Sequence, residues 1–178
     1  MIIFVYGGSC CGKSEFAESL VTGDPNPARV YIATMEIYDE ESVRRVERHR
    51  KMRALKGFAT VEAQRDLALA AGGVPAGATV LLECLGNLSA NELFAPDGEH
   101  TAAEAEKKII EGLAALSARC SRLVVVSNDI FSGDGEYGEG TLRYCETLAV
   151  LNRWTAEHAD EVYEVVCGVP LRIKEGGR

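Results

Sequence analysis

A glycine-rich loop near the start of the chain restricts its fold more than any other feature. Residues 7–14 read Gly-Gly-Ser-Cys-Cys-Gly-Lys-Ser, which matches the pattern G-x-x-x-x-G-K-[ST], and they directly follow an apolar run at residues 1–6. That order predicts a buried strand, a glycine turn and then a helix that begins near Lys13. We therefore expect a sheet with helices packed on it and a site for a nucleoside triphosphate.

The residue types in this loop suit the polyphosphate tail of a nucleotide. Small residues let successive backbone N–H groups approach the phosphates, at the positive end of the helix that follows. Lys13 is expected to reach the β- and γ-phosphates, and the Ser14 hydroxyl is expected to bind Mg²⁺. The nucleotide-binding candidates in the loop are Gly7, Gly8, Ser9, Cys10, Cys11, Gly12, Lys13 and Ser14.

Length and charge narrow the class of protein. The 178 residues, of which 47% are hydrophobic, fit one nucleotide-binding domain that spans residues 1–178. A formal net charge of -8 argues against a general nucleic-acid or membrane-surface binder. No apolar stretch approaches the length of a membrane span, and no basic region precedes the first apolar run, so we expect a cytoplasmic protein.

Alternating apolar patterns predict an α/β fold. Strands are predicted at 2–6, 30–33, 79–82, 123–127 and 162–167, with a weaker one at 59–62 and a final antiparallel edge strand at 169–174. Apolar residues at three- and four-residue steps predict helices at 13–21, 40–55, 101–119 and 142–158. This order favours a mostly parallel sheet with helices on both faces. Residues 72–77 and 132–140 are predicted loops, the second a mobile active-site flap.

Polar residues that end predicted strands are the next candidates, because ligands of such sheets bind at the carboxyl ends of the strands. Glu83 ends the run 79–82 and is expected to hold Mg²⁺ directly or through water. The alternative is a carboxylate that caps the next helix. Asn128 follows the run 123–127 and either contacts phosphate or caps a turn.

A basic segment at residues 44–53 stands out in this acidic chain. It reads Arg-Arg-Val-Glu-Arg-His-Arg-Lys-Met-Arg, and composition alone favours a solvated helix face over a clamp for phosphates. A single histidine on a polar helix is likewise more often simply exposed. A neutral imidazole among guanidinium groups is nevertheless a reasonable nucleophile, because the cations offset the charge of an attacked phosphate. The spacing places His49 and Arg53 on one helix face.

The six cysteines show no paired C-x-x-C spacing, which argues against a zinc site or a disulfide framework. We expect reduced thiols. Cys10 and Cys11 precede a predicted helix, where thiols are more reactive, so these two are expected to be alkylated or oxidised most readily.

Five segments, in order along the chain, carry a resemblance to a known family. They are Val-Tyr-Gly-Gly at 5–8 through Lys-Ser at 13–14, Tyr-Ile-Ala-Thr at 31–34, Arg-Val-Glu-Arg-His-Arg at 45–50 with Arg53, Thr-Val-Glu at 60–62, and Leu-Leu-Glu-Cys at 81–84. They resemble the bifunctional adenosylcobinamide kinase / adenosylcobinamide-phosphate guanylyltransferase family. Segments at 125–129, 151–152 and 159–162 extend the similarity over nearly the whole chain.

The resemblance implies a two-step enzyme of cobalamin biosynthesis. Such an enzyme phosphorylates adenosylcobinamide with ATP or GTP, and then transfers GMP from GTP to that phosphate through a guanylylated histidine, which matches His49. It also implies a RecA-like P-loop NTPase fold, a corrinoid substrate and a homotrimer. By the same match, the further nucleotide contacts are Ala33, Thr34, Met35, Arg50, Lys51, Met52, Arg53, Glu62 and Glu83.

One segment departs from the family pattern. After Asn128 and Asp129 the family reads Glu-Val-Gly and then a Pro-rich, Arg-containing stretch, whereas residues 130–140 of this chain are acidic and lack proline, which leaves corrinoid recognition open. Two other functions are compatible with the glycine loop. One is a P-loop kinase for another small molecule, in which His49 has no catalytic role, and the other is a noncatalytic GTP- or ATP-dependent switch protein.

Overall fold

Strands and helices alternate along the chain. A computed structural model describes residues 1–37, 39–53, 55–96, 98, 100–131 and 137–176; the side chains of residues 42, 45, 48, 49 and 52 lie outside that description. The elements are β1 Ile2–Gly7, α1 Lys13–Thr22, β2 Arg29–Ala33, α2 Glu40–Arg53, β3 Phe58–Glu62, α3 Leu67–Gly72, β4 Thr79–Glu83, α4 Leu85–Leu93, α5 Ala102–Arg119, β5 Arg122–Asn128, α6 Glu139–His158, β6 Glu161–Val166 and β7 Val169–Lys174. Among the described helices, none is both long enough and apolar enough to cross a membrane.

The strands form one seven-stranded sheet in the order β3-β2-β4-β5-β1-β6-β7. All neighbouring pairs are parallel except β6 and β7, which are antiparallel as predicted for the edge. The register aligns the carboxyl ends: Gly7 pairs with Asn128, and Ala33 lies between Glu62 and Glu83. The predicted site residues of five strands therefore meet at one edge of the sheet.

Apolar side chains of the central strands are buried on both faces of the sheet, because successive residues of a strand point in opposite directions. In β4, Val80 and Leu82 belong to one core cluster and Leu81 belongs to a second. The first cluster also contains residues of α3, α4, α5 and α6, and the second contains Ala17 and Val21 of α1. Helices therefore cover both faces, as predicted.

Two helices, α3 and α4, lie where none was predicted. α3 has only six residues, too few to display a helical period. In α4, seven of the nine residues are buried, polar Ser89, Asn91 and Glu92 among them, so the segment has no polar face to reveal its periodicity.

Several predicted boundaries were wrong by one residue or more, and three of them have a structural reason. α2 ends at Arg53 and not at residue 55, where Leu55 is 98% exposed and has no packing to extend a helix. β6 ends at Val166, because Cys167 takes a left-handed turn conformation with φ 49°. α6 begins at Glu139, inside the segment predicted to be a loop at 132–140. Residues 132–136 of that segment lie outside the described part of the chain.

Candidate active site

A cavity of about 470 Å³ opens at the carboxyl ends of β1, β2, β4 and β5. We call one side the loop wall, formed by Lys13, Ser14 and Glu83, and the opposite side the helix wall, formed by Val46, Arg50 and Arg53 of α2. The remaining lining residues are Ser9, Cys10, Tyr31, Ala33, Met35, Ile37, Glu62, Gln64, Cys84, Asn87, Val126, Asn128, Asp129 and Ile130. The cavity lies where an open parallel sheet normally binds its ligands.

The glycine loop follows β1 and ends at Gly12, the N-cap of α1, which has φ 93° and so favours glycine. Lys13 is 8% exposed and its Nζ donates to the carbonyl oxygen of Gly8 at 2.9 Å, so the ammonium lies inside the curve of the loop. The β6–β7 turn braces the loop from outside, because Gly168 N donates to Cys11 O at 2.8 Å. The loop is therefore held in shape on both sides.

Ser14 and Glu83 meet below the loop. Ser14 Oγ donates a hydrogen bond to Glu83 Oε1, and Tyr31 OH donates to Glu83 Oε2 at 3.3 Å. The N-cap of α4 is Cys84, and the hydrogen bonds of the Glu83 carboxylate among the described residues go to Ser14 and Tyr31 and not to that helix. The pair offers a hydroxyl and a carboxylate, the hard oxygen ligands that Mg²⁺ prefers.

Tyr31 and Arg53 connect the two walls. The Arg53 guanidinium lies 3.4 Å from the centroid of the Tyr31 ring, in cation–π contact. Burial, and then the Glu83 carboxylate, raise the pKa of Tyr31. The hydroxyl therefore stays protonated and is the hydrogen-bond donor to Glu83. Arg53 is only 6% exposed, and within the described residues its Nε and Nη1 have no hydrogen-bond partner. A buried cation with free donors is suited to an anionic ligand.

The rest of α2 is less fully described. Arg50 pairs with Glu62 at 3.0 Å, and both side chains are partly exposed and line the cavity. Lys51 is exposed and does not line it. His49 lies one helical turn before Arg53, but its side chain and that of Met52 lie outside the described part of the structure.

Thr34 anchors the chain after β2 to the residues that follow β4. Its fully buried hydroxyl donates to Cys84 O at 3.0 Å and accepts from Cys84 N at 2.6 Å. Asn91 Nδ2 donates to Thr34 O at 2.8 Å. Ala33 and Met35 line the cavity, whereas the Thr34 side chain holds β2 against β4.

Sequence reasoning assigned no role to several lining residues. Tyr31 belongs to the Tyr-Ile-Ala-Thr segment at 31–34. Its position two residues before the end of β2 was the signal that could have placed it near the cavity. Asn87 lies on the unpredicted helix α4, so its position followed no recognised pattern. Asn128, left open above, lines the cavity and directs its Nδ2 to Cys84 Sγ at 3.8 Å. Burial raises the pKa of that thiol.

Comparison with known proteins identifies the family. The cobinamide kinase / cobinamide phosphate guanyltransferase family matches residues 3–173. The chain belongs to this family. Membership confirms the resemblance drawn from the sequence motifs and the enzyme class it implied.

Relatives match over almost the whole chain. The bifunctional adenosylcobalamin biosynthesis protein CobU of Salmonella typhimurium is 33% identical, with 98% of this chain and 100% of the relative covered. CobU of Escherichia coli is 32% identical with the same coverage. CobP of Pseudomonas aeruginosa, also described as a bifunctional adenosylcobalamin biosynthesis protein, is 33% identical over 96% of this chain and 95% of its own.

Solved structures with similar folds are ATPases and related proteins. An ATPase of the type III secretion system of pathogenic bacteria has a TM-score of 0.55 at 11% identity, over 92% of this chain and 50% of its own. The flagellar accessory protein FlaH of Methanocaldococcus jannaschii has a TM-score of 0.51 at 11% identity, over 98% and 78%. These likenesses concern the fold alone, and they confirm the predicted RecA-like P-loop NTPase fold.

Proposed function

We propose that this chain is a cobinamide kinase and a cobinamide-phosphate guanylyltransferase of cobalamin biosynthesis, and that the one cavity serves both reactions. Family membership supports the two activities. We assign different roles to the two sides of the cavity: the loop wall holds the polyphosphate in both reactions, and α2, the helix that carries the helix wall, supplies the nucleophile of the second reaction. ATP or GTP serves the first reaction and GTP the second.

In the first reaction, the aminopropanol hydroxyl oxygen of adenosylcobinamide forms a bond to the γ-phosphorus. The bond from that phosphorus to the bridging oxygen of the β-phosphate breaks, a nucleoside diphosphate leaves and the hydroxyl proton is released. The loop amides and the Lys13 ammonium offset the charge on the phosphates. Lys13 Nζ already bonds to a loop carbonyl, so it needs only a short movement to contact phosphate.

In the second reaction, a neutral His49 nitrogen forms a bond to the α-phosphorus of GTP, and pyrophosphate leaves. A phosphate oxygen of cobinamide phosphate then attacks the same phosphorus, the phosphorus–nitrogen bond breaks, and the imidazole is regenerated. Arg50 and Arg53 are placed to offset charge near the reacting phosphate, since both line the cavity. Ala33, Thr34, Met35, Lys51, Met52 and Glu62 remain predicted nucleotide contacts.

Ser14 and Glu83 fit a Mg²⁺ ion, because both present oxygen atoms at one point below the loop. Bound there, Mg²⁺ would neutralise charge on the polyphosphate. The hydrogen bond from Tyr31 to the second Glu83 oxygen keeps the carboxylate directed at Ser14.

The observation that carries the proposal is Arg53, a buried guanidinium that lines the same cavity as the glycine loop and whose Nε and Nη1 have no hydrogen-bond partner among the described residues. The test uses GTP labelled at the α-phosphate, followed by denaturation of the protein. We expect label to stay on the chain, to be acid-labile as a phosphoramidate is, and to move to cobinamide phosphate when that acceptor is added.

Two outcomes would reject the proposal in favour of the alternatives. Phosphorylated cobinamide, or another phosphorylated alcohol, without label on the protein indicates a simple P-loop kinase. GTP binding without any GTP consumption that depends on cobinamide indicates a noncatalytic switch protein.

We further infer that the chain acts as one domain in the cytoplasm and as a homo-oligomer. Strands from residues 2 to 174 share one sheet, which supports a single domain. Its nucleotide substrates and free cysteines suit the cytoplasm. Val169, Leu171 and Ile173 expose apolar side chains on the edge strand β7, which supports association, with a trimer as the family resemblance implies.

A further inference from the structure

We propose that Tyr31 is a positioning residue that couples the two walls of the active site: its hydroxyl sets the carboxylate of Glu83 and its ring sets the guanidinium of Arg53. The inference rests on the proposed function. Tyr31 lies on β2, is 4% exposed, and lines the cavity between the groups it contacts.

The hydroxyl acts on the loop wall. Tyr31 OH donates to Glu83 Oε2 at 3.3 Å, while Ser14 Oγ donates to Glu83 Oε1, so the two bonds together fix the plane of the carboxylate. Without the hydroxyl, the Glu83 carboxylate is held only at Oε1, by Ser14, and can rotate more freely. The geometry that suits a metal–nucleotide complex is then formed less often, and the complex binds more weakly.

The ring acts on the helix wall. Arg53 is the last residue of α2, and its guanidinium rests on the Tyr31 ring at 3.4 Å. Because Nε and Nη1 have no hydrogen-bond partner among the described residues, the ring face is the described contact that holds the guanidinium at the cavity wall. The Tyr31 ring itself is supported by an edge contact with Phe58, whose centroid is 6.3 Å away.

The chain offers a matched control for both contacts. On β6 and β7, Tyr163 OH donates to Glu161 Oε2 at 2.6 Å, and the Arg172 guanidinium lies 5.5 Å from the Tyr163 ring centroid. These are the same three residue types in a partly exposed surface position, and none of them lines the cavity. A substitution at Tyr163 removes the same kind of hydrogen bond without reaching the site.

The first experiment measures binding by calorimetry of a GTP analogue with a methylene group between its α- and β-phosphates, which cannot guanylylate the protein. For Tyr31→Phe we expect about threefold to tenfold weaker binding with Mg²⁺ present, because one hydrogen bond to a charged carboxylate is lost. Binding in EDTA should be unchanged, because the hydroxyl acts through Glu83, which is proposed to hold the metal. Tyr163→Phe should match the wild type in both conditions. Equal binding by Tyr31→Phe and wild type with Mg²⁺ would overturn the role of the hydroxyl.

The second experiment is a double-mutant cycle on the rate at which α-labelled GTP modifies the protein at saturating Mg²⁺. We expect Tyr31→Leu and Arg53→Met each to slow labelling by about tenfold or more, and the double variant to be no slower than the worse single variant. Multiplicative losses would overturn the coupling. If Tyr31→Leu does not fold, Tyr31→Met takes its place in the cycle.

The two experiments separate this inference from the proposed function. If the wild type takes up no label, the guanylyl-histidine mechanism fails, and the calorimetric comparison still decides the role of the Tyr31 hydroxyl. If the wild type is labelled but the cycle is multiplicative, the mechanism stands and the coupling fails.

Discussion

The two walls of the cavity are attached to the fold in different ways. The loop wall is attached directly to the sheet, since Lys13 and Ser14 follow the glycine loop that ends β1 and Glu83 ends the interior strand β4. The helix wall belongs to α2, and the described contacts that tie its cavity side to the sheet are made by side chains, Arg53 on Tyr31 and Arg50 with Glu62.

We infer that this difference lets one cavity serve the two proposed reactions. A wall whose side chains start from the sheet and from the glycine loop is suited to binding the polyphosphate, which both reactions need. A wall held by side chains is changed by single substitutions. We therefore expect lesions in the loop wall to impair both activities and lesions in the helix wall to impair guanylyl transfer selectively.

The largest effect is expected for His49→Ala. Guanylyl transfer should fall by on the order of 10⁴-fold, because a covalent mechanism has no substitute for its nucleophile, while phosphorylation of cobinamide keeps much of its rate. Product analysis by mass spectrometry separates the two activities. The matched control is His158→Ala, since that ring stacks on Trp154 at the far end of α6. Equal loss of both activities in a folded variant would contradict the covalent role.

Lys13→Met tests the loop wall. Removing the ammonium should lower both activities by about 10²-fold to 10³-fold, because both transition states place charge on phosphates held by the loop. Initial rates at saturating nucleotide provide the measurement. Lys107→Met, on an exposed lysine of α5, should leave both rates unchanged. A variant that loses only one activity would show that the two reactions hold the polyphosphate differently.

Arg53→Met tests the helix wall with a smaller expected change. Guanylyl transfer should slow by about tenfold to 100-fold, because one charge-assisted contact to phosphate is lost, while phosphorylation slows by less than about threefold. The control is Arg172→Met, on the surface of β7. A parallel decline of both activities would remove the distinction between the walls.

The mildest test concerns thiol reactivity at the loop. Cys10 is exposed and lines the cavity, whereas Cys84 is buried, so iodoacetamide should modify Cys10 first, and bound Mg²⁺–GTP should slow that reaction. Peptide mapping by mass spectrometry measures each site. Cys167, which is exposed but does not line the cavity, should react at the same rate with and without nucleotide.

Much of the fold was predictable because the strands are short apolar runs and the glycine loop fixes what precedes and follows it. The position of Glu83 at a strand end likewise followed from the topology of parallel sheets. α4 was not predictable, because its buried polar residues hide the helical period. The role of Tyr31 was also hidden, since it depends on contacts with residues 22 and 52 positions away along the chain.

The β6–β7 hairpin has a consequence for how the protein is made. Gly168 of this hairpin donates a hydrogen bond to Cys11 of the glycine loop, and the strands that flank β1 are β5 and β6. Gly168, β5 and β6 all come much later in the sequence than the glycine loop. On the ribosome, β1 emerges early, gains its neighbour β5 only after residue 128 has been made, and gains β6 and the contact with Gly168 only in the last quarter of the chain. We therefore expect a nascent chain to hold GTP firmly only when its synthesis is nearly finished.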